Sequence, residues 1–245
     1  AIKNVKQYEF KQSSYDNVPQ IPFRQLLLAQ ANSGKTTLIL NQCLDIYKDC
    51  FDAGIHVFSH SWNIDATWAP LKRYCKSKGW NPDEYGHATY SDAQLDAIIQ
   101  EQAAFVRYQK AKGHTRLWGM LICWDDMIDS RAAMRGRQIE ILYARGRHLG
   151  ISCIASTQAY RKLLNTVRVN SEHEQVWRLR NQQDLDAFLE ENSAIGGKDK
   201  LMEIYRKATS VPYGYLWLKK NAKDDNDLFH VGLGSPGEQI VPTRK

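Results

Sequence analysis

The sequence predicts an α/β fold in which helices flank both faces of a mainly parallel central sheet. Three observations predict it. Apolar strand-like runs alternate with helix-like segments along most of the 245 residues, one run leads into a loop of small residues, and another ends in paired carboxylates. Alternation of this kind is typical of parallel strands that are covered by helices on both faces. A chain of this length is expected to form one such domain.

The predicted strands are short apolar runs between turn residues. They cover residues 26–28, 54–59, 87–90, 117–124, 151–156, 175–179, 214–219 and 228–233. The predicted helices have apolar residues at helical spacing or a capping residue at their start. They cover residues 36–49, 91–110, 131–145 and 199–208. A charged turn over residues 223–227 joins the last two strands into a terminal pair.

The loop after the first strand has the residue types that bind a triphosphate. Residues 29–36 match the P-loop (Walker A) pattern Gly-x-x-x-x-Gly-Lys-[Ser/Thr], except that Ala29 replaces the first glycine. Backbone N–H groups of such a loop, with the positive end of the next helix, surround phosphate oxygens. The residues expected to contact ATP are Ala31, Asn32, Ser33, Gly34, Lys35, Thr36 and Thr37.

Individual roles follow from the chemistry of this loop. Lys35 is expected to reach the terminal phosphates as a point charge, and Thr36 is expected to ligate Mg²⁺. Gly34 lies where the chain turns most tightly, so it matters more than the missing glycine at Ala29. A chance Ser-Gly-Lys-Thr between a strand and a helix is the less favoured alternative.

A second motif has the form of a Walker B element, because the apolar run that begins at Met120 ends in Asp125 and Asp126. Phosphoryl transfer needs one carboxylate that holds the metal and another group that orients and deprotonates the attacking water. We therefore expect Asp125 to hold Mg²⁺ and Asp126 to be the general base. The alternative is that these acids, with Asp129, only cap the next helix.

A third polar position follows the strand over residues 151–156, where Thr157 and Gln158 come next. The carboxyl end of a parallel strand lies beside the ligand, so Gln158 is a candidate sensor of the γ-phosphate or of the attacking water. Lys35 and Asp125 are far enough apart in the chain for two intervening strands. That spacing favours RecA-like P-loop ATPases of the additional-strand type, which insert a strand between the motifs and carry their own catalytic acid.

The domain is expected to occupy residues 23–245 and to end in the terminal strand pair. Residues 1–22 differ from it because they are polar, contain Pro19 and Pro22, and show no sustained period. They are expected to form an N-terminal arm that lies on the domain or reaches a neighbour.

The composition excludes several classes of protein. No run approaches the roughly 18 apolar residues that a membrane span needs, and the amino end lacks a signal-peptide core. We therefore expect a soluble, intracellular protein without a membrane partner. The five cysteines form no C-x-x-C pair and have no histidine at zinc-finger spacing, so neither a disulfide framework nor a zinc site is expected.

The positive charge is concentrated in one segment. The chain carries a net charge of +6. The segment from Arg131 to Arg168 contains eight arginines and lysines but only one acidic residue, Glu140. This charge suggests a polyanionic partner, and the alternative is a solvated helix face. Three tryptophans lie in an earlier polar stretch and could stack on bases. We favour their covering the sheet, because basic and aromatic residues do not alternate regularly there.

Residues 147–158 resemble the FtsK and HerA motor ATPases in their order of arginine, Gly-Ile, apolar strand and Thr-Gln. The continuation over residues 159–170, with the Asp-Asp Walker B, looks closer still to the genome-packaging ATPases of poxviruses, other large DNA viruses and virophages. The resemblance implies an ATP-driven ring, a hexamer or pentamer, that pushes double-stranded DNA into a preformed capsid. It also implies that Arg147 serves the neighbouring subunit's nucleotide, with Arg145 and Arg168 as rivals.

The resulting hypothesis is an ATP-hydrolysing packaging motor that uses Mg²⁺ and docks on capsid vertex proteins. Its expected location is the cytoplasmic assembly site of an infected host cell, and also the virion. Two alternatives stay open. One is a cellular FtsK/HerA-like or conjugative DNA pump, which would be cytoplasmic, and the other is a nucleotide-dependent scaffold on a capsid vertex that barely hydrolyses ATP.

Overall fold

The computed structural model describes residues 7–194 and 197–232, which surround a central eight-stranded sheet. A separate sheet of two short strands lies apart from it. Numbered in chain order, the strands of the described residues are β1 (Glu9–Phe10), β2 (Arg24–Leu28), β3 (Ile55–Ser59), β4 (Gly86–His87), β5 (Arg116–Leu117), β6 (Met120–Asp125), β7 (Ile151–Thr157), β8 (His173–Trp177), β9 (Tyr215–Lys219) and β10 (Phe229–Val231).

The central sheet has the strand order β10-β9-β8-β2-β7-β6-β3-β4. The strands from β8 to β4 are parallel, whereas β9 and β10 are antiparallel additions at one edge. Because β2, β3, β6, β7 and β8 run in the same direction, their carboxyl ends lie along one edge of the sheet. The predicted α/β class with a mainly parallel sheet is confirmed.

β7 is the strand inserted between the two predicted motifs. It pairs with β2 on one side, where Leu28 is opposite Thr157, and with β6 on the other, where Trp124 is opposite Ala155. The P-loop after β2 and the carboxylates at the end of β6 are therefore separated by the width of one strand.

Helices cover both faces of the sheet, as the apolar strands require. In chain order they are α1 (Lys35–Asn41), α2 (Ala69–Ser77), α3 (Pro82–Tyr85), α4 (Asp92–Ala111), α5 (Arg131–Arg135), α6 (Gln138–Arg145), α7 (Asn165–Asn170), α8 (Gln182–Asn192) and α9 (Gly197–Ala208). Successive residues of β2 point to opposite faces, so Leu26 and Leu28 join the core under α4, α6, α8 and α9, while Leu27 joins the core under α1 and α2. Trp62 and Trp68 are buried in this second core, so they cover the sheet.

The helix predicted over residues 131–145 is wrong in one respect, because it is two helices, α5 and α6. The carboxylate of Asp92 accepts hydrogen bonds from the backbone N–H groups of Arg137 (2.9 Å) and Gln138 (3.2 Å), which caps the start of α6. A Cβ on Gly136 would collide with that carboxylate. A contact from a distant part of the chain therefore ends the first helix.

Other boundaries shift where local pairing differs from the sequence pattern. The predicted strand 117–124 divides at Gly119 into the end of β5 and the longer β6, and the helix 36–49 becomes α1 followed by a π-helical turn, Gln42–Ile46. The predicted strand 87–90 is reduced to β4, and 175–179 moves two residues earlier to β8. The terminal strand pair is present as β9 and β10, and residue 233 of the predicted pair lies outside the described residues.

The described part of the predicted N-terminal arm packs against the domain. β1 pairs with β5 in parallel, with Glu9 opposite Arg116. The Tyr47 hydroxyl donates a hydrogen bond of 2.7 Å to the carbonyl oxygen of Pro19. Residues 1–6 of this segment lie outside the described residues. Across the described ranges, no helix combines the length and the apolar character needed to cross a bilayer.

Candidate nucleotide-binding site

The loop between β2 and α1 has the backbone shape of a phosphate-binding loop. Asn32 has a φ of 60° and Gly34 has a φ of 93°, so the chain turns twice through the left-handed region. Glycine adopts this region without the steric cost of a side chain, which explains the residue type at position 34. The Gly34 carbonyl accepts the first helical bond, from Leu38 N at 2.9 Å, so α1 begins directly after the turn.

Ala29 does not need to be glycine in this structure. Its backbone N–H donates to the Thr157 carbonyl at 3.1 Å, which extends the pairing of β2 with β7 by one residue. Ala29 is fully buried and is not among the described residues with a positive φ. The departure from the usual P-loop pattern therefore leaves the shape of the loop unchanged.

Lys35 lies inside its own loop. Its Nζ donates hydrogen bonds to the carbonyl oxygens of Ala29 (2.9 Å) and Gln30 (3.1 Å), and it lies 3.4 Å from Asp126 Oδ1. The side chain is buried, so these acceptors compensate its desolvation. The ammonium group is thus held between the P-loop and the Walker B carboxylates.

Thr36 and Asp125 contact each other directly. Thr36 Oγ1 donates to the Asp125 carboxylate, 3.0 Å from Oδ2, and Ser156 Oγ donates to Oδ1 at 2.9 Å. Burial raises the pKa of Asp125, the hydrogen bond from Ser156 opposes the rise, and the adjacent charge of Asp126 adds to it. The two predicted magnesium residues, which are distant in sequence, are therefore in hydrogen-bond contact.

Asp126 is the more accessible of the two carboxylates, with 39% of its side chain exposed. Its backbone is left-handed, with a φ of 49°, and its N–H donates to Ser156 Oγ at 2.9 Å. Gln158 Nε2 donates to Asp126 Oδ2 at 2.9 Å. The structure thus places the predicted base between the predicted sensor Gln158 and the cation of Lys35.

A cavity of about 490 Å³ lies over these groups. Its wall includes the residues predicted to bind ATP and Mg²⁺ and the predicted base: Ala31, Asn32, Ser33, Gly34, Lys35, Thr36, Thr37, Asp125 and Asp126. The predicted sensor Gln158 is not among the residues that line it and contacts Asp126 instead. A volume of this order is typical of sites for small ligands, which occupy about 300–1,000 Å³.

Sequence reasoning missed four residues of the cavity wall, Ser61, Asp65, Thr67 and Tyr213. The first three follow the end of β3, so a polar loop after a predicted parallel strand was a usable signal. It also missed Ser156, which bridges the two carboxylates, although its place at the end of β7 was predicted. Tyr213 precedes β9 and reaches the site only through the fold.

The cavity suits a magnesium nucleotide better than a metal ion alone. Within the described ranges, no group of three or more His, Cys, Asp or Glu side chains could hold a metal. Mg²⁺ is usually bound by one or two protein carboxylates together with substrate phosphates and water. Asp125 and Asp126 are adjacent carboxylates that a cation would stabilise, and the Thr36 hydroxyl supplies a further oxygen.

The nucleotide site does not contain any of the three arginines from the same chain that were considered for a role at the neighbouring subunit's nucleotide. Arg147 precedes β7, at the amino end of a seven-residue strand and so roughly 20 Å from the site at its carboxyl end. Its Nη1 donates to Glu172 Oε1 at 2.9 Å, and 57% of the side chain is exposed. Arg145 is exposed at the same edge. Arg168 is paired with Glu191 at 3.0 Å and lies against the Tyr160 ring.

Comparison with known proteins identifies the family. A profile described as Poxvirus A32 protein matches residues 9–213, which is most of the chain. The chain belongs to the Poxvirus A32 family. No curated protein sequence matches it.

Solved structures with the same fold include viral genome-packaging proteins. The genome packaging NTPase B204 from Sulfolobus turreted icosahedral virus 2 is 17% identical with a TM-score of 0.57, and the alignment covers 86% of this chain and 96% of B204. B204 from Sulfolobus turreted icosahedral virus, a DNA-packaging ATPase, is 16% identical with a TM-score of 0.54, covering 86% and 97%. B204 from the former virus was solved in complex with AMP and with AMPPCP.

The same fold also occurs outside viruses. EssC (ATPases 2 and 3) from Geobacillus thermodenitrificans is 13% identical with a TM-score of 0.56, covering 86% of this chain and 39% of EssC. At such identities the likeness concerns the fold. The family match confirms the predicted resemblance to a protein family of poxviruses.

The geometry of the loop predicts different effects on nucleotide affinity for two exchanges between glycine and alanine. Gly34→Ala forces a Cβ onto a backbone with a φ of 93°, so nucleotide affinity should fall at least ten-fold. Ala29→Gly should leave affinity unchanged within two-fold and lower stability by about 0.5–1 kcal/mol. Calorimetric titration with AMPPCP and urea unfolding measure the two quantities. A clear gain of affinity in Ala29→Gly would contradict the account of Ala29.

Proposed function

We propose that this protein hydrolyses ATP, with Mg²⁺, and uses the energy to move double-stranded DNA into a viral capsid. The observation that carries the proposal is the hydrogen bond between Thr36 and Asp125, beside Asp126, at the carboxyl edge of the parallel strands. A chance P-loop sequence and a pair of capping acids would have no reason to meet there. The packaging role is supported by the family and by the fold that it shares with B204.

Different residues are assigned to different parts of phosphoryl transfer. Backbone N–H groups from Ala31 to Thr37 bind the phosphates, and Thr36 and Asp125 would hold the magnesium ion. The ion would neutralise charge on the phosphate oxygens. Lys35 Nζ leaves the carbonyl oxygens of its loop and binds the terminal phosphates, which are stronger acceptors.

Asp126 is the general base in this proposal. When Lys35 turns to the phosphates, Asp126 Oδ1 loses the cation that lies 3.4 Å away and becomes available to a water molecule. Gln158 still donates to Oδ2, so it fixes the orientation of the carboxylate. Gln158 is therefore a positioning residue, and it is proposed to respond to the γ-phosphate through its contact with Asp126.

DNA binding is assigned to the arginines that follow β6. Arg131, Arg135 and Arg137 are exposed, and α5 begins a few residues after the Walker B carboxylates. Cations on so short a connection can transmit a change at the nucleotide to DNA phosphates. Contacts with phosphates alone do not depend on base sequence, as a packaging motor requires.

The active form is proposed to be a ring, a hexamer or pentamer, that docks on capsid vertex proteins. Arg147 is too far from its own nucleotide but is exposed, so it is available to the site of the next subunit. A cation that enters from a neighbour stabilises the charge of the transition state and couples the subunits. The expected locations are the assembly site in the infected cell and the virion.

The first test removes the base. Asp126→Asn keeps the size of the side chain and tolerates a left-handed backbone, so ATP binding should persist while turnover falls by two orders of magnitude or more. Phosphate release with and without duplex DNA measures turnover, and calorimetry measures binding. Asp83→Asn, an exposed carboxylate on α3, is the matched control and should behave as the wild type. If the wild type hydrolyses ATP negligibly and duplex DNA does not raise the rate, the result would favour the alternative of a nucleotide-dependent scaffold.

The second test concerns Arg147 and uses mixed rings. Arg147→Ala and Asp126→Asn should each be nearly inactive. Mixing them creates boundaries where an intact Asp126 faces an intact Arg147, so part of the DNA-stimulated activity should return. Arg145→Ala is carried through the same mixing experiment as the rival. Failure of the Arg147→Ala mixture to recover activity would remove this residue from the trans role.

The third test concerns DNA. The double variant Arg131→Ala/Arg135→Ala should keep its DNA-independent turnover but lose most of the stimulation by duplex DNA. Its binding should also depend less on salt, with a log–log slope smaller by roughly two. Lys198→Ala/Arg206→Ala removes the same charge from α9 and serves as the control. Equal losses in both variants would show a general charge effect and contradict the assignment to α5.

A further inference from the structure

A second cavity adjoins the phosphate site. It has a volume of about 360 Å³ and shares Asn32, Ser33 and Tyr213 with the first cavity. Its other walls come from Trp177 and Arg178 at the end of β8 and from residues 209–214 between α9 and β9. The two cavities therefore adjoin, and Tyr213 is part of the wall of both.

Tyr213 has an unusual position for a large ring. Its side chain is 71% exposed, and its backbone is left-handed, with a φ of 61°. A Cβ on Gly34 would lie 3.7 Å from Tyr213 Cδ1, so the ring lies directly beside the phosphate-binding loop. An aromatic face at this place is available to a flat group of the ligand whose phosphates occupy the first cavity.

The walls of the second cavity are fixed by hydrogen bonds. The Tyr205 hydroxyl donates to the Trp177 carbonyl oxygen at 3.2 Å and accepts from Leu179 N at 2.6 Å, which ties α9 to both sides of Arg178. In the following loop, Gly214 N donates to the Val211 carbonyl at 3.0 Å. A Cβ on Gly214 would lie 2.6 Å from the Ala208 carbonyl oxygen, so only glycine fits this turn.

We propose that the second cavity binds the nucleobase and that Tyr213 stacks on the base. The inference rests on the proposed function, because the phosphates of the same nucleotide must occupy the first cavity. Arg178, directly after β8, is exposed and lines the same cavity, so it offers a planar cation to the base or ribose.

The chemistry of the walls favours a base over other ligands. No Asp or Glu lines the described part of this cavity, so it has no group that would attract a cation or an amine. An exposed aromatic ring and a guanidinium group both stack on flat heterocycles. Ser33 and Asn32, which line both cavities, lie where the link between base and phosphates must pass.

The experiment compares ATP with inorganic tripolyphosphate, which lacks a base and a ribose. Calorimetric titration in the presence of Mg²⁺ gives both affinities for the full chain. Tyr213→Ala should weaken ATP binding roughly ten-fold or more, because stacking on the base is lost, and should leave tripolyphosphate binding unchanged. Tyr213→Phe keeps the ring and should retain the affinity of the wild type for ATP. Tyr108→Ala, on the distant α4, is a control for removal of an exposed tyrosine.

The outcomes separate this inference from the function on which it rests. If Tyr213→Ala weakens both ligands equally or neither of them, the base site is refuted while ATP binding stands. If Tyr213→Phe is as weak as Tyr213→Ala, the hydroxyl rather than the ring is responsible, and stacking is refuted. If the wild type binds neither ATP nor tripolyphosphate, the proposed function itself fails. Urea unfolding of each variant identifies any loss that is due to misfolding.

Discussion

The parallel alignment of β2, β7 and β6 sets the geometry of the candidate site. It brings the loop after β2 and the carboxylates after β6 to the same edge, where Thr36 donates to Asp125. Ser156, on the strand between them, donates to Asp125 and accepts from the backbone of Asp126. A central strand with a polar end therefore joins the two motifs.

Polar groups of the site bind one another, and ligand phosphates would replace some of these contacts. Lys35 is bound by two carbonyl oxygens and lies near Asp126, so a buried cation and a carboxylate partly satisfy each other. Phosphate oxygens are stronger acceptors for an ammonium group than carbonyls are, and they would draw Lys35 away from Asp126. The contacts of Lys35 in the protein alone thus differ from those proposed for the complex with nucleotide. Only a few side chains need to change their partners.

Sequence patterns predicted most of the strands because their apolar runs lie between clear turn residues. They also predicted the helix start at Ser91, whose side chain accepts a hydrogen bond of 3.2 Å from Gln94 N. Sequence patterns were less successful where a residue from a distant part of the chain determines the boundary of a helix or strand. The helix over residues 131–145 has one local signal for a break, Gly136, but the carboxylate of Asp92 that caps the second helix comes from α4. Strand ends moved for the same reason, because pairing partners rather than local residues determine them.

Local residue patterns were enough to locate the candidate site, because the proposed ligands, phosphate and magnesium, require the residue types of a phosphate loop and of a paired-acid strand end. Which other groups join these residues depends on the fold. Ser156 and Tyr213 reach the cavity through strand order and through the turn at Gly214. The fold likewise placed Arg147 at the opposite edge from its own P-loop. Such distances depend on long-range packing, which no local pattern of residues encodes.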